Sequence, residues 1–153
     1  MPLIQYIMTI PIGEIMTEKL ETISVSSSAQ EASKKMRDKN VSSLVVVDNN
    51  NKPTGIITER DLVRKVCVND ASSKRTMIQH VMSSPLVTID SGSPVETAAD
   101  VMLQNKVRHL LVVENNDITR PQGIITPTDF AGYLKENLNM DEVNSKILES
   151  LRS

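Results

Sequence analysis

Aromatic residues are nearly absent from this chain of 153 residues, which has no tryptophan, one phenylalanine and two tyrosines. Without ring faces there is no stacking platform for single-stranded nucleic acid, and the core has to be built from valine, isoleucine, leucine and methionine. A single cysteine, Cys67, excludes an intrachain disulfide framework and a cysteine-rich zinc site and fits a reducing compartment. Two histidines, His80 and His109, offer a transition metal few ligands. An excess of one charge is missing too: 17 basic against 19 acidic side chains leave a formal net charge of −2, and no global field draws the chain to nucleic acid or to an anionic membrane. No apolar run approaches the roughly 20 residues needed to cross a bilayer. Met1 to Ile12 also lacks a cationic stretch followed by a continuous hydrophobic block. The expectation is a soluble, cytoplasmic chain.

What the sequence does contain is one unit written twice. At an offset of 66 residues, Met16 falls on Met82, Ile23 on Ile89, Ala32 on Ala98, Met36 on Met102, Leu44 on Leu110 and Val46 on Val112. The offset then rises to 68, and Pro53-Thr54-Gly55-Ile56-Ile57-Thr58 meets Pro121-Gln122-Gly123-Ile124-Ile125-Thr126, with Asp61 on Asp129. Two copies of one fold tolerate an insertion in a polar turn, which predicts Asp117 and Ile118 in a lengthened turn rather than in a strand.

Each copy has a readable order. A short strand around Ile23 or Ile89 precedes a helix, which opens at Ser27 with Gln30 in the first copy and at the capping box Ser93-Pro94-Val95-Glu96 in the second. The branched runs Ser43-Leu44-Val45-Val46-Val47 and His109-Leu110-Leu111-Val112-Val113 suit strands covered on both faces. A polar turn, a returning strand and a second helix from Thr58 or Thr126 complete the unit. The fold class is α/β (α+β): two pseudo-symmetric strand-helix-strand-strand-helix units packed sheet to sheet, each of about 60 residues and too small to bury a generous core alone. The predicted boundaries are 8–68 and 74–135, with a helical extension over 136–153. Leu3, Ile4, Ile7 and Met8, with Val143, Ile147, Leu148 and Leu151, make apolar terminal faces that predict a homodimer.

The sharpest polar feature is Thr58 with Asp61, repeated as Thr126 with Asp129. Thr at an N-cap with Asp three residues on can simply serve the free amides of a helix start. The same carboxylate at a cleft edge can accept ribose hydroxyls while the hydroxyl and amides face phosphate.

The two complete motifs, Gly55-Ile56-Ile57-Thr58-Glu59-Arg60-Asp61 and Gly123-Ile124-Ile125-Thr126-Pro127-Thr128-Asp129, resemble those of tandem cystathionine beta-synthase (CBS) domains, also called a Bateman module. The approach Pro11 to Thr17, Met82 and the run Asn40 to Asp48 carry the same resemblance, over residues 10 to 135. It implies two clefts, each joining the motif of one unit to the approach and second strand of the other. One would combine Thr126, Thr128 and Asp129 with Ile12, Ile15, Val41 and Ser42. The other would combine Thr58, Arg60 and Asp61 with Ile78, Val81, Val107 and the basic pair Arg108-His109. The resemblance further implies regulatory ligands (AMP, ADP or ATP, and in some members S-adenosylmethionine), no catalytic cofactor, a homodimer and an unidentified regulated protein.

Three other readings stay open. Pockets could be incidental to a structural or interaction module. A nucleotide-processing enzyme is disfavoured, because the sequence shows neither a nucleophile with base and orienter nor a Gly-rich phosphate loop with its Lys and Ser/Thr. Nucleic-acid binding would rest on Lys34, Lys35, Arg37 and Lys39 alone, a run that reads more simply as a solvated helix face. Cys67, His80 and the paired methionines Met36 and Met102 read as structural.

Overall fold

A computed structural model describes residues 3–137 and 140–152, with the side chains at 3, 4, 140–143 and 146 outside the described set. The expectations for Leu3, Ile4 and Val143 therefore fall outside the described residues.

The branched runs form the central strand of each of two three-stranded sheets. In the first, β1 (Thr22–Ser24) runs parallel to β2 (Ser43–Val47), which pairs antiparallel with β3 (Pro53–Thr58). In the second, β4 (Thr88–Asp90), β5 (Leu110–Glu114) and β6 (Asp117–Ile125) repeat that order. Register follows the repeat: Ile23 lies beside Val46 and Ile89 beside Val112, while Val45 faces Ile56 and Leu111 faces Ile124. Side chains alternate across a strand, so each central strand serves two cores. Leu44 and Val46 face α2 (Ala29–Lys39), and Leu110 and Val112 face α4 (Val95–Asn105). Val45, Val47, Leu111 and Val113 meet between the sheets.

The second helix of the first unit, α3 (Glu59–Asp61), continues as a π-helix over Leu62–Cys67, whereas its counterpart α5 (Pro127–Asn137) is regular. Helix α1 (Leu3–Met8) precedes the two units in the chain and packs near α4, and α6 (Met140–Arg152) follows them in the chain. Among the described residues no helix is long and apolar enough to cross a membrane.

The units exchange segments. A 3-10 turn at Ile12–Glu14, which precedes the first unit, puts Ile12 fully inside the core of the second. Its counterpart at Ile78–His80 puts Ile78 and Val81 inside the core of the first. Burying each such isoleucine contributes about 1.5–3 kcal/mol. Beyond these turns, Thr17 pairs through both backbone groups with Ile124, and Ser83 with Ile56. Those crossings account for the motif glycines. A β-carbon on Gly55 would lie 2.8 Å from the Ser83 carbonyl oxygen and 2.9 Å from Met82 Sδ, and one on Gly123 would collide with the Thr17 carbonyl.

The exchange also changes how the helices start. The expected cap at Ser27 is replaced by Ser28, whose hydroxyl accepts from the Glu31 amide at 3.1 Å while Glu31 accepts from the Ser28 amide at 3.1 Å. Ser27 instead gives its carbonyl to the Ile78 amide. The expected Ser93 capping box does not form: Pro94 occupies the N-cap without a side-chain bond, and the first amide of α4 donates to the Ile10 carbonyl, as the Ala29 amide donates to Thr76.

Two more expectations are corrected. Asp117 and Ile118 lie in β6, with Asp117 opposite Glu114, not in a turn. Asn115 and Asn116, at φ 53° and 57°, close a two-residue hairpin in the left-handed conformation asparagine tolerates, so the inserted residues lengthen the strand through bulges at Val112–Glu114. Ile7 is buried, which removes it from any intersubunit face, and Met8 is partly buried against the core of the second unit.

Gly55→Ala must push the crossing strand aside and is expected to destabilise the protein by about 1–3 kcal/mol in thermal or urea denaturation. Gly132→Ala, inside α5 with nothing within 4 Å of its added carbon, should instead stabilise by about 1 kcal/mol. Equal effects from the two would contradict the crossing.

Candidate functional site

Two clefts open where the units meet, and each is lined by residues of both units. The larger, about 500 Å³, brings together Thr58, Arg60 and Asp61 of the first unit with Val107, Arg108 and His109 of the second. The smaller, about 340 Å³, brings Thr126, Thr128 and Asp129 together with Val41 and Ser42. Ile12 and Ile78 are fully buried, Val81 sits in the core, and Ile15 packs against a core, so these four line neither cleft. The residues just beyond the two 3-10 turns take their places: Thr17, Lys19 and Glu21 in the smaller cleft, and their repeat partners Ser83, Pro85 and Val87 in the larger. The repeat alignment already sets the hydroxyls of Thr17 and Ser83 on each other, and that was the available signal for them.

Thr58 and Asp61 form a full capping box: the Thr58 hydroxyl accepts from the Asp61 amide at 3.1 Å, and the Asp61 carboxylate accepts from the Thr58 amide at 3.1 Å. Asp61, 8% exposed, also accepts from Ser83 Oγ at 3.1 Å and pairs with Lys65 at 3.1 Å. Asp129 is more open. It accepts from the Thr126 amide at 2.8 Å and from Thr17 Oγ1 at 2.7 Å, and among the described residues no lysine forms an ion pair with it. Each motif aspartate thus ties its own helix start to the approach segment that crosses from the other unit.

Charge separates the clefts. Five cations, Arg60, Arg64, Lys65, Lys106 and Arg108, line the larger against Glu59 and Asp61. In the smaller, Lys19 stands against Glu21 and Asp129, and its ammonium is turned to the Lys39 carbonyl. His109 and Ser42 line both clefts. Burial holds the His109 imidazole below its ordinary value of 6.5 and Arg108 lowers it further, while Asp61 and Asp129 pull the other way.

Residues 12–67 and 78–136 match the CBS domain model. The chain belongs to the CBS domain family. It carries two CBS units forming a Bateman-type module. An uncharacterised protein of Methanopyrus kandleri is 32% identical to it over 121 residues, which cover 79% of this chain and 61% of that protein. Inosine-5'-monophosphate dehydrogenase of Nitrosopumilus maritimus is 37% identical over 117 residues, 76% of this chain but only 23% of the dehydrogenase. The crystal structure of an uncharacterised conserved protein from Pyrococcus horikoshii superposes with a TM-score of 0.78 at 29% identity, covering 86% of this chain and 97% of that one. The CBS pair is the architecture of a regulatory, ligand-sensing module, a fold that is characteristically non-catalytic.

Because His109 is held neutral by burial, the unfolded chain takes up its proton first as pH falls, and the folded state loses stability through about pH 6.5 and below. His109→Gln is expected to flatten that part of the profile when melting temperature is followed between about pH 8 and pH 5. A parallel decline in both proteins would mean the imidazole is not held in this way.

Proposed function

We propose that this CBS pair binds an adenosine-containing nucleotide (AMP, ADP or ATP) in the larger cleft and passes its occupancy to a regulated partner protein. The observation that carries the reading is the excess of cations around that cleft, beside an apolar wall of Ile56, Val87 and Val107. Purine rings fit between branched side chains, and guanidinium groups recognise phosphate oxygens. Binding that favours one disposition of the two units over another would shift that equilibrium without chemistry. The smaller cleft, rich in hydroxyls and poorer in cations, fits a less anionic ligand such as S-adenosylmethionine.

Asp61 is assigned the ribose, although its oxygens already serve Thr58, Ser83 and Lys65. Arg108 is therefore the cleaner probe, being exposed and outside the helix cap. In calorimetric titrations with AMP, ADP, ATP and S-adenosylmethionine, Arg108→Gln should lose about 1.5–3 kcal/mol, roughly 10- to 150-fold in affinity, at unchanged melting temperature. Asp61→Ala should weaken nucleotide binding more than Asp129→Ala, measured where both variants remain folded. Unchanged binding by Arg108→Gln, with the loss confined to Asp129→Ala, would place the ligand in the other cleft. No binding of any of the four would favour a purely structural role for the capping boxes.

A second copy of the chain is the proposed cover for α6, where Ile147, Leu148 and Leu151 are 51%, 54% and 76% exposed. Analytical ultracentrifugation should give a dimer. A monomeric mass across a broad concentration range would contradict this.

A further inference from the structure

The larger cleft holds more positive charge than a single phosphate can meet. Arg60, Arg64, Lys106 and Arg108 line it, and among the described residues none of these four makes an ion pair or a side-chain hydrogen bond. Of the two carboxylates present, Asp61 is already paired with Lys65 at 3.1 Å, which leaves Glu59 alone against the four.

The repeat supplies an internal control. Arg60 and Arg64 stand where the other unit has Thr128 and Gly132, and Lys106 and Arg108 stand where it has Asn40 and Ser42. The same strand order and pairing form around neutral residues at all four places, so the sheets do not require the charges, while the helix carrying Arg60 and Arg64 continues as a π-helix where α5 is regular. Lys106 adds an independent sign. It ends α4 at φ 54°, as Asn40 ends α2 at φ 53°, and this left-handed conformation favours asparagine or glycine over lysine. A lysine kept there, at the rim of the cleft, points to a use for its charge.

Resting on the nucleotide reading above, we infer that the larger cleft selects a chain of three or more phosphates over a single phosphate, with these arginine and lysine side chains, rather than a divalent cation, neutralising it. A phosphate monoester brings roughly two negative charges at pH 7, and every further phosphoryl group adds to them. Arg60 lies in α3 and Arg64 in its π-helical continuation, while Lys106 and Arg108 come from the other unit. The cations thus reach the cleft from both units instead of from a single segment.

The test is calorimetric titration of the full chain with AMP, ATP and CTP in buffer containing EDTA. The comparison is a triple variant, Arg60→Thr with Lys106→Asn and Arg108→Ser, which installs the residues of the other unit. The wild type should bind ATP at least about 10-fold more tightly than AMP, and the variant should bring that ratio to within about threefold. Raising the salt concentration should shrink the same ratio in the wild type, a readout that does not depend on how the variant folds. Equal binding of AMP and ATP by the wild type, or a strict need for magnesium, would overturn the inference while leaving the nucleotide reading standing. ATP and CTP bound equally, both far above AMP, would uphold phosphate-chain selection and remove the adenosine reading. No binding of any nucleotide would overturn both.

Discussion

Ser83 and Thr17 cross the glycines of the opposite unit so closely that a β-carbon has no room, and the rest of the molecule is arranged around those two crossings. The approach segment that reaches across delivers an isoleucine to the other core, a carbonyl to the first amide of the other unit's helix, and a hydroxyl to the other unit's aspartate. Neither unit has a complete core or a complete cleft without its neighbour. The motif glycine is thus a packing residue, and what it admits is a backbone.

Because the crossings hold the frame, the residues around each cleft mouth are free to differ. The two units share strand order and register, yet one mouth gathers cations and the other gathers hydroxyls and carboxylates. The motif aspartates illustrate how far the divergence goes. Both brace a helix start against the crossing segment, but Asp61 is enclosed by a lysine and Asp129 is left more open. The repeat thus places two clefts on one scaffold with a different balance of charge around each. His109 and Ser42 line both clefts, and the His109 imidazole lies in the field of both Asp61 and Asp129.

Much of this was legible in the residues because it depends on periodicity. The offset of 66 residues rising to 68 reproduces the observed strand pairing, and the branched runs around Val46 and Val112 do form doubly covered central strands. The polar positions of the motif, Thr58, Arg60 and Asp61 with Thr126, Thr128 and Asp129, line the clefts where a strand end leads into a helix start, and Arg108 and Ser42 line them where a helix end leads into a central strand. What local pattern could not reveal was the exchange. Ile12, Ile15, Ile78 and Val81 look like cleft walls when each approach is assigned beside a motif, but the crossing carries three of them into a core and packs Ile15 against one. The helix starts differ from the local expectation for a related reason: a backbone carbonyl arriving from 47 residues away, as from Thr76 to Ala29, leaves no mark in the local sequence. Asp117 was misplaced because a tight Asn115-Asn116 turn absorbs an insertion by lengthening a strand.

The claim at the centre of this account is that one exchange builds two clefts and that charge decides which of them receives a phosphate chain. A crystal structure of the full chain grown with excess ATP and EDTA tests it most directly. The account predicts one nucleotide per chain, in the larger cleft, with its triphosphate within hydrogen-bonding distance of both the Arg60 and Arg108 guanidinium groups and the smaller cleft free of triphosphate. A triphosphate seated beside Asp129, with Arg60 and Arg108 left in solvent, would contradict it.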